Sequence, residues 1–169
     1  MLVLIVGLPG TGKTTFAVEL AKEIGAVHLN SDILRTRMGS RGKYDNASKA
    51  AVYKELYNRA EEILQEGNDL VVDATLYKES LREPFEKLAG QFNTPIKWIE
   101  LKAEESTIKE RVSKKREYSE ADFEVYLKIK AVYEPLAQNH LVLWSDVLSL
   151  KEMIDKAQEY FKLGEFSSK

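Results

Sequence analysis

The string Gly7-Leu8-Pro9-Gly10-Thr11-Gly12-Lys13-Thr14 sets glycines, a lysine and a hydroxyl residue at the spacing G-x-x-x-x-G-K-[ST]. Each residue type has a chemical reason. Gly7, Gly10 and Gly12 admit backbone conformations that turn successive N–H groups inward on an anion. A helix N-terminus placed behind them adds its partial positive charge. Lys13 brings a full charge toward β- and γ-phosphates, and the Thr14 hydroxyl suits a magnesium ion. With Thr15 directly behind, the expected nucleotide-binding set is Gly7, Pro9, Gly10, Thr11, Gly12, Lys13, Thr14 and Thr15. A glycine-rich turn with an incidental lysine would give the same letters. It would not also require a buried strand before them and an amphipathic helix after them, which this sequence supplies. The pattern predicts a site for a nucleoside triphosphate, with ATP and Mg²⁺ as cofactors.

Three exclusions narrow the chemistry. The chain has no Asn-Lys dipeptide, so the guanine-reading N-K-x-D is missing. Asp73 is followed by Ala74 rather than by a glutamate that would polarise water. The length leaves no room for an AAA+ type lid domain. What remains is a small phosphotransferase whose nucleophile is a substrate hydroxyl. It needs an anionic group at the acceptor and cations on the moving phosphoryl. Asp32 and Arg35 follow a predicted strand and share a helix face at i, i+3, so Asp32 is the expected base and Arg35 the orienting cation. The competing reading has Asp32 capping the helix together with Ser31; Arg37 points off that face. Asp73, with Thr75 two residues on, is expected to hold a Mg²⁺-bound water or a substrate hydroxyl, against the plainer reading of an incidental strand-end aspartate. Arg111, Lys114, Lys115 and Arg116 lie between two predicted helices, where a lid would close over ATP. A solvated charge run competes with that role. Arg111 joins the nucleotide-binding set and Arg116 the catalytic one. Arg41 and Tyr44 sit in a loop that can reach substrate. Trp98, Trp144 and His28 read as structural.

Elements must hold these residues in place, and the chain supplies them alternately. Leu2–Val6 is a continuous apolar run, as in a parallel strand buried on both faces. Further strands are expected at 26–29, 70–73, 96–101 and 141–144. Between them, Phe16, Ala17, Leu20, Ala21 and Ile24 fall at helical spacing before Gly25. A short helix reaches about Met38. A long one starts at an Asn46 cap, buries Tyr53, Leu56, Tyr57, Ala60, Ile63 and Leu64, and closes at Gly67. Another carries Leu81, Phe85 and Leu88, with Pro84 in its first turn. Helix is also expected over 104–117, from the capping box Ser119–Asp122 to Pro135, and from the capping box Ser149–Glu152 onward. Strand alternating with helix predicts an α/β sandwich with a mainly parallel sheet.

The 169 residues and formal charge of −2 fit one globular domain, expected over 1–164 with a frayed tail at 165–169. No cysteine is present, which removes disulfides and thiolate chemistry, and two histidines make a histidine metal cage a poor expectation. The charge balance disfavours nonspecific coating of nucleic acid, so polyanion contact needs a local patch. No apolar run approaches membrane length, and a cytoplasmic monomer is expected.

At the segments GLPGTGKTT, LNSDILR, LVVDAT and IKERVSKKREYSEADFEVY the sequence resembles small phosphate-loop kinases grouped with polynucleotide 5′-kinases and zeta-toxin kinases. The likeness runs over about residues 1–135, with the motifs in the family's order. It implies a three-layer fold with five strands ordered 2-3-1-4-5. It also implies a base at Asp32, a substrate or phosphate arginine at Arg35, and lid cations at Arg111 and either Lys115 or Arg116. The family's lid pair is spaced by four, which reaches Lys115 here, with arginine at 116. Asp73-Ala74-Thr75 stands where phage-type enzymes have D-T-N. The leading acceptor is a polynucleotide 5′-OH end. A small metabolite (a sugar acid, nucleotide sugar or antibiotic) is the alternative, and an ATP-dependent switch is a third reading. Loops 39–46 and 75–83 decide among acceptors.

Overall fold

The computed structural model describes residues 1–40, 42–43, 45–114 and 122–163. In chain order the elements are β1 (Leu2–Val6), α1 (Lys13–Ile24), β2 (Val27–Asn30), α2 (Ser31–Arg37), α3 (Asn46–Gln65), β3 (Leu70–Asp73), α4 (Glu79–Gln91), β4 (Ile96–Lys102), α5 (Glu105–Ser113), α6 (Phe123–Ala131), β5 (His140–Trp144) and α7 (Leu150–Leu163). The five strands are all parallel, in the order β2-β3-β1-β4-β5. That is the order expected from the resemblance.

The central strand shows why. Every residue of β1 is buried, because alternate side chains serve different cores. Leu2, Leu4 and Val6 pack with Leu56, Ala60 and Leu64 of α3 and with Phe85 and Leu88 of α4. Val3 and Ile5 pack with Phe16, Ala17 and Leu20 of α1 and with Met153, Ile154 and Ala157 of α7. A third, small cluster joins Ile108 and Val112 of α5 to Tyr126 of α6, with Leu8 of the glycine loop against it. Parallel pairing carries the C-terminal ends of all five strands to one sheet edge. Asp73 and Asn30 end neighbouring strands in register.

Several expected boundaries move, each for a local reason. Asp45, not Asn46, caps α3: its carboxylate accepts the Ser48 N–H at 2.9 Å. The strand expected at 26–29 is shifted by one, since Asn30 ends β2 and then caps α2. Pro84 lies in the second turn of α4, because that helix begins at Glu79. Helix α5 stops at Ser113 rather than 117. The Ser113 hydroxyl bonds the Glu110 carbonyl at 2.7 Å, the acceptor a continuing helix needs, and Lys114 is extended. Helix α6 begins at Phe123 on an Asp122 cap and ends at Ala131, ahead of Pro135. The capping box read from Ser119 falls mostly outside the described residues. The second box is present: the Ser149 hydroxyl and N–H both bond the Glu152 carboxylate, at 2.7 and 2.8 Å. Trp98 is core, whereas Trp144 lies on the edge strand β5 and is 39% exposed. The expected tail, 165–169, lies outside the described residues. Among the described residues no helix is long and apolar enough to cross a membrane.

Candidate phosphate-transfer site

The glycine loop joins β1 to α1 at the sheet's C-terminal edge. Gly7 has φ +143°, and a Cβ there would stand 2.4 Å from the Leu101 carbonyl oxygen of β4. Only glycine fits so close an approach. Gly12 caps α1 in the left-handed region, with φ 89° and ψ 13°. The Leu8 carbonyl accepts both the Thr11 hydroxyl, at 2.8 Å, and the Lys13 ammonium, at 3.0 Å. These bonds wrap the loop and hold Lys13 over it.

A cavity of about 1090 Å³ opens above this loop. Pro9, Gly10, Gly12, Lys13, Thr14 and Thr15 line its floor, with Asp73, Ala74 and Thr75 following β3. Asp32 and Arg35 come from α2, Lys49 and Tyr53 from α3, Arg111 from α5 with Lys114 just past its end, and Lys128 and Ile129 from α6. Gly7 and Thr11 support the loop from beneath: Thr11 is buried, and Gly7 presses on β4. Arg116 and Lys115 lie outside the described residues, as do Arg41 and Tyr44.

Asp32 is not the helix cap. The Asn30 side-chain oxygen takes that role, accepting the N–H groups of Asp32 and Ile33 at 2.8 Å each. The Asp32 carboxylate is thereby spared that duty and lines the cavity instead. The Asn30 amide nitrogen donates to the Asp73 carboxylate and lies 3.3 Å from the Thr14 hydroxyl oxygen. Asp73 is 1% exposed, and His28 Nε2 stands 3.6 Å from Oδ2, the same oxygen that accepts from Asn30. His28 thus borders the site rather than sitting remote from it. Arg35 is buried, and its guanidinium donates to the Lys43 carbonyl at 2.9 Å. That bond ties Lys43, between α2 and α3, to the Asp32 end of the cavity. Arg37 is exposed, as expected.

On the opposite wall Arg111 donates to the Ser145 hydroxyl at 2.8 Å, to the Ser145 carbonyl at 3.1 Å and to the Gly10 carbonyl at 3.4 Å. Its guanidinium therefore stands beside the glycine loop. Lys114 pairs with Glu110 at the exposed end of α5.

Three contributors carry no assigned role in the sequence motifs. Asn30 was legible as an Asn before Ser-Asp at a strand–helix junction. Ser145, after β5, carries no local mark. Tyr53 falls in the apolar stripe of α3, yet its hydroxyl end lies deep beside Asp32 and Arg35. Burial, reinforced by Tyr77 and Asp32, pushes that phenol well above the usual tyrosine value, against the pull of a Leu76 main-chain bond. Leu76 itself has φ +46°, a conformation costing a non-glycine residue about 1–2 kcal/mol.

A glycine loop feeding a helix from the central strand of a 2-3-1-4-5 parallel sheet defines the P-loop kinase fold. A family model described as AAA domain (AAA_33) matches residues 2–136, and the chain belongs to that family. A gluconokinase from Sinorhizobium meliloti superposes with a TM-score of 0.74 at 16% identity, covering 99% of this chain and 97% of that one. The APS kinase of Mycobacterium tuberculosis, in complex with AMPPNP and APS, gives 0.72 at 19% identity, covering 95% and 96%. An uncharacterized protein of Mycobacterium tuberculosis is 30% identical over 107 residues, or 56% of this chain. The chain spans 22% of the length of that relative.

Proposed function

We propose that the protein transfers the γ-phosphoryl group of ATP to a hydroxyl group. The observation that carries this reading is the convergence of Asp32 and Arg35 on the same cavity as the glycine loop. Ala74 stands where a hydrolase would place a water-polarising glutamate, and the site offers a carboxylate and a cation beside room for a second substrate. In the reaction, Asp32 takes the proton of the acceptor hydroxyl as its oxygen bonds to the γ-phosphorus. The bond to the β–γ bridging oxygen breaks, and ADP leaves. Lys13 and the loop N–H groups bear the charge on the β- and γ-phosphates. Arg111 reaches the same phosphates from across the loop.

The donor set fits magnesium. Thr14 and Asp73 both contact the Asn30 amide, so a hydroxyl and a carboxylate flank one small space. Magnesium commonly takes one or two protein oxygens plus phosphates and water. Bound there, Mg²⁺ would neutralise phosphate charge.

The resemblance to polynucleotide 5′-kinases supports a 5′-OH nucleic-acid end as acceptor. A small anionic metabolite is the second reading. It is favoured by the cover that α3 and Tyr77 give the acceptor end, where Lys49 and Arg35 add two cations. Both acceptors present a hydroxyl near an anionic group. The test is transfer from labelled ATP to 5′-OH DNA, 5′-OH RNA, sugar acids and nucleotide sugars. Slow hydrolysis that no acceptor stimulates would replace the kinase by an ATP-dependent switch.

A further inference from the structure

Arg82 lies on α4, outside the cavity, and is 1% exposed. Its guanidinium donates to three main-chain carbonyls: Leu76 at 2.8 Å, Pro135 at 3.0 Å, and Glu134. The Tyr133 ring lies 5.5 Å from its central carbon. Leu76 belongs to the loop after β3, whose Thr75 and Tyr77 line the acceptor side of the cavity. Residues 133–135 form the return from α6, whose Lys128 and Ile129 line the cavity and whose Tyr126 packs with α5 in the cluster that Leu8 of the glycine loop joins. Two walls of the cavity therefore meet at one buried side chain.

The junction is reinforced. The Glu134 N–H donates to the Tyr77 carbonyl at 2.9 Å. The Glu134 carboxylate accepts the Glu79 N–H at 2.6 Å, so it caps α4 where Lys78 supplies no side-chain cap. The Tyr133 hydroxyl donates to Glu100 at 2.8 Å. Leu76 holds a left-handed backbone, which persists only where its surroundings over-determine it. Here those surroundings are the Arg82 bond, a buried side chain and the Tyr53 contact. A planar guanidinium can serve three carbonyls at fixed angles; an ammonium of equal charge cannot.

We propose that Arg82 is a positioning residue that makes the α6 wall and the 74–78 acceptor loop move as one. Nucleotide binding under α6 then sets the acceptor loop. This rests on the reading of the cavity as a phosphoryl-transfer site. The experiment is hydrogen–deuterium exchange with and without AMPPNP and Mg²⁺, on wild type, Arg82→Lys and the milder Glu134→Ala, which alters an exposed side chain. Wild type should gain protection in 123–131 and in 74–78 together. Arg82→Lys should keep the first and lose the second, with Glu134→Ala intermediate. On the acceptor that supports transfer, Arg82→Lys should raise the acceptor KM about tenfold and leave the ATP KM within about twofold. If Arg82→Lys does not fold, a reduced 74–78 response in Glu134→Ala carries the test. Protection of both segments in every folded variant, or of neither segment in wild type, overturns the proposal. Exchange needs no turnover, so failure to find an acceptor would refute the kinase reading while leaving this test intact.

Discussion

Alanine at the three loop glycines should produce three different proteins, because the added methyl meets something different each time. At Gly7 it meets the Leu101 carbonyl oxygen at 2.4 Å with φ +143°. That oxygen is main chain and cannot swing aside, so the start of the loop and β4 must part. A disallowed backbone costs about 1–3 kcal/mol and forced overpacking about 1–3 kcal/mol more. At Gly10, φ +86°, it meets methyl groups of Val112 and Ile108 at 2.9 and 3.0 Å. Those side chains can give way, but only by moving α5 off the loop. At Gly12, φ +89°, its nearest neighbours are Ser145 atoms at 3.6 Å and the Arg111 guanidinium at 3.8 Å. That is ordinary contact, leaving about 1–2 kcal/mol for the left-handed backbone. With about 2–4 °C of Tm per kcal/mol in a domain of this size, Gly7→Ala should lose roughly 5–20 °C and Gly12→Ala roughly 2–8 °C, with Gly10→Ala between. Affinity for AMPPNP should invert part of that order. The methyl disfavours the left-handed Gly12 backbone that aims the α1 N-terminus into the cavity, so Gly12→Ala should weaken nucleotide binding beyond what its Tm suggests. Scanning calorimetry and titration calorimetry measure the two. A Gly12→Ala protein that melts as low as Gly7→Ala would refute the reasoning.

Other outcomes follow from the same geometry. Asp32→Asn should lower kcat by about 10²–10⁴-fold with ATP affinity nearly unchanged, whereas Asp73→Asn should chiefly alter the Mg²⁺ dependence; turnover by Asp32→Asn within about threefold of wild type would move the base to Asp73. Arg111→Ala should reduce kcat by about tenfold or more, out of proportion to its Tm, while Lys114→Ala, which breaks an exposed i, i+4 pair at the cavity's edge, should have a clearly smaller effect. Burial, with the bond to Glu100 adding to it at Tyr133, raises the phenols of Tyr53 and Tyr133 above their ordinary 10.0. Their contribution to stability is therefore present below pH 10 and lost progressively above it; alkaline melts of Tyr53→Phe and Tyr133→Phe should show a shallower decline than wild type.

Strand and helix order were legible in the sequence because burial writes itself into period. The fully apolar β1 announced a strand covered on both faces, and Phe16, Ala17, Leu20 and Ala21 announced the helix behind it. The glycine loop was legible because its chemistry demands particular residue types at fixed spacing. Helix ends were less so, since Asp45 and Asn46 are adjacent and both are good caps. Arg82 was invisible for a different reason. Its three acceptors are main-chain carbonyls, which every residue possesses, and two of them come from more than fifty positions away. Ser145 is hidden in the same way, since it matters only because parallel pairing of β4 with β5 brings it to Arg111.

Asn30 shows how the acceptor side depends on the phosphate side. A strand that ends and a helix that starts at the same residue leave no loop to absorb error, so the direction of Asp32 follows from the direction of β2. Asn30 fixes that junction with its oxygen on the α2 amides and ties it with its nitrogen to Asp73 and toward Thr14. Aspartate would cap equally well, but it would set a second carboxylate against Asp73 with no donor between them. Serine would cap without reaching either partner. Only a side chain with an acceptor and a donor on one planar group meets both demands, and it places the candidate base, the strand-end carboxylate and the loop hydroxyl in one frame.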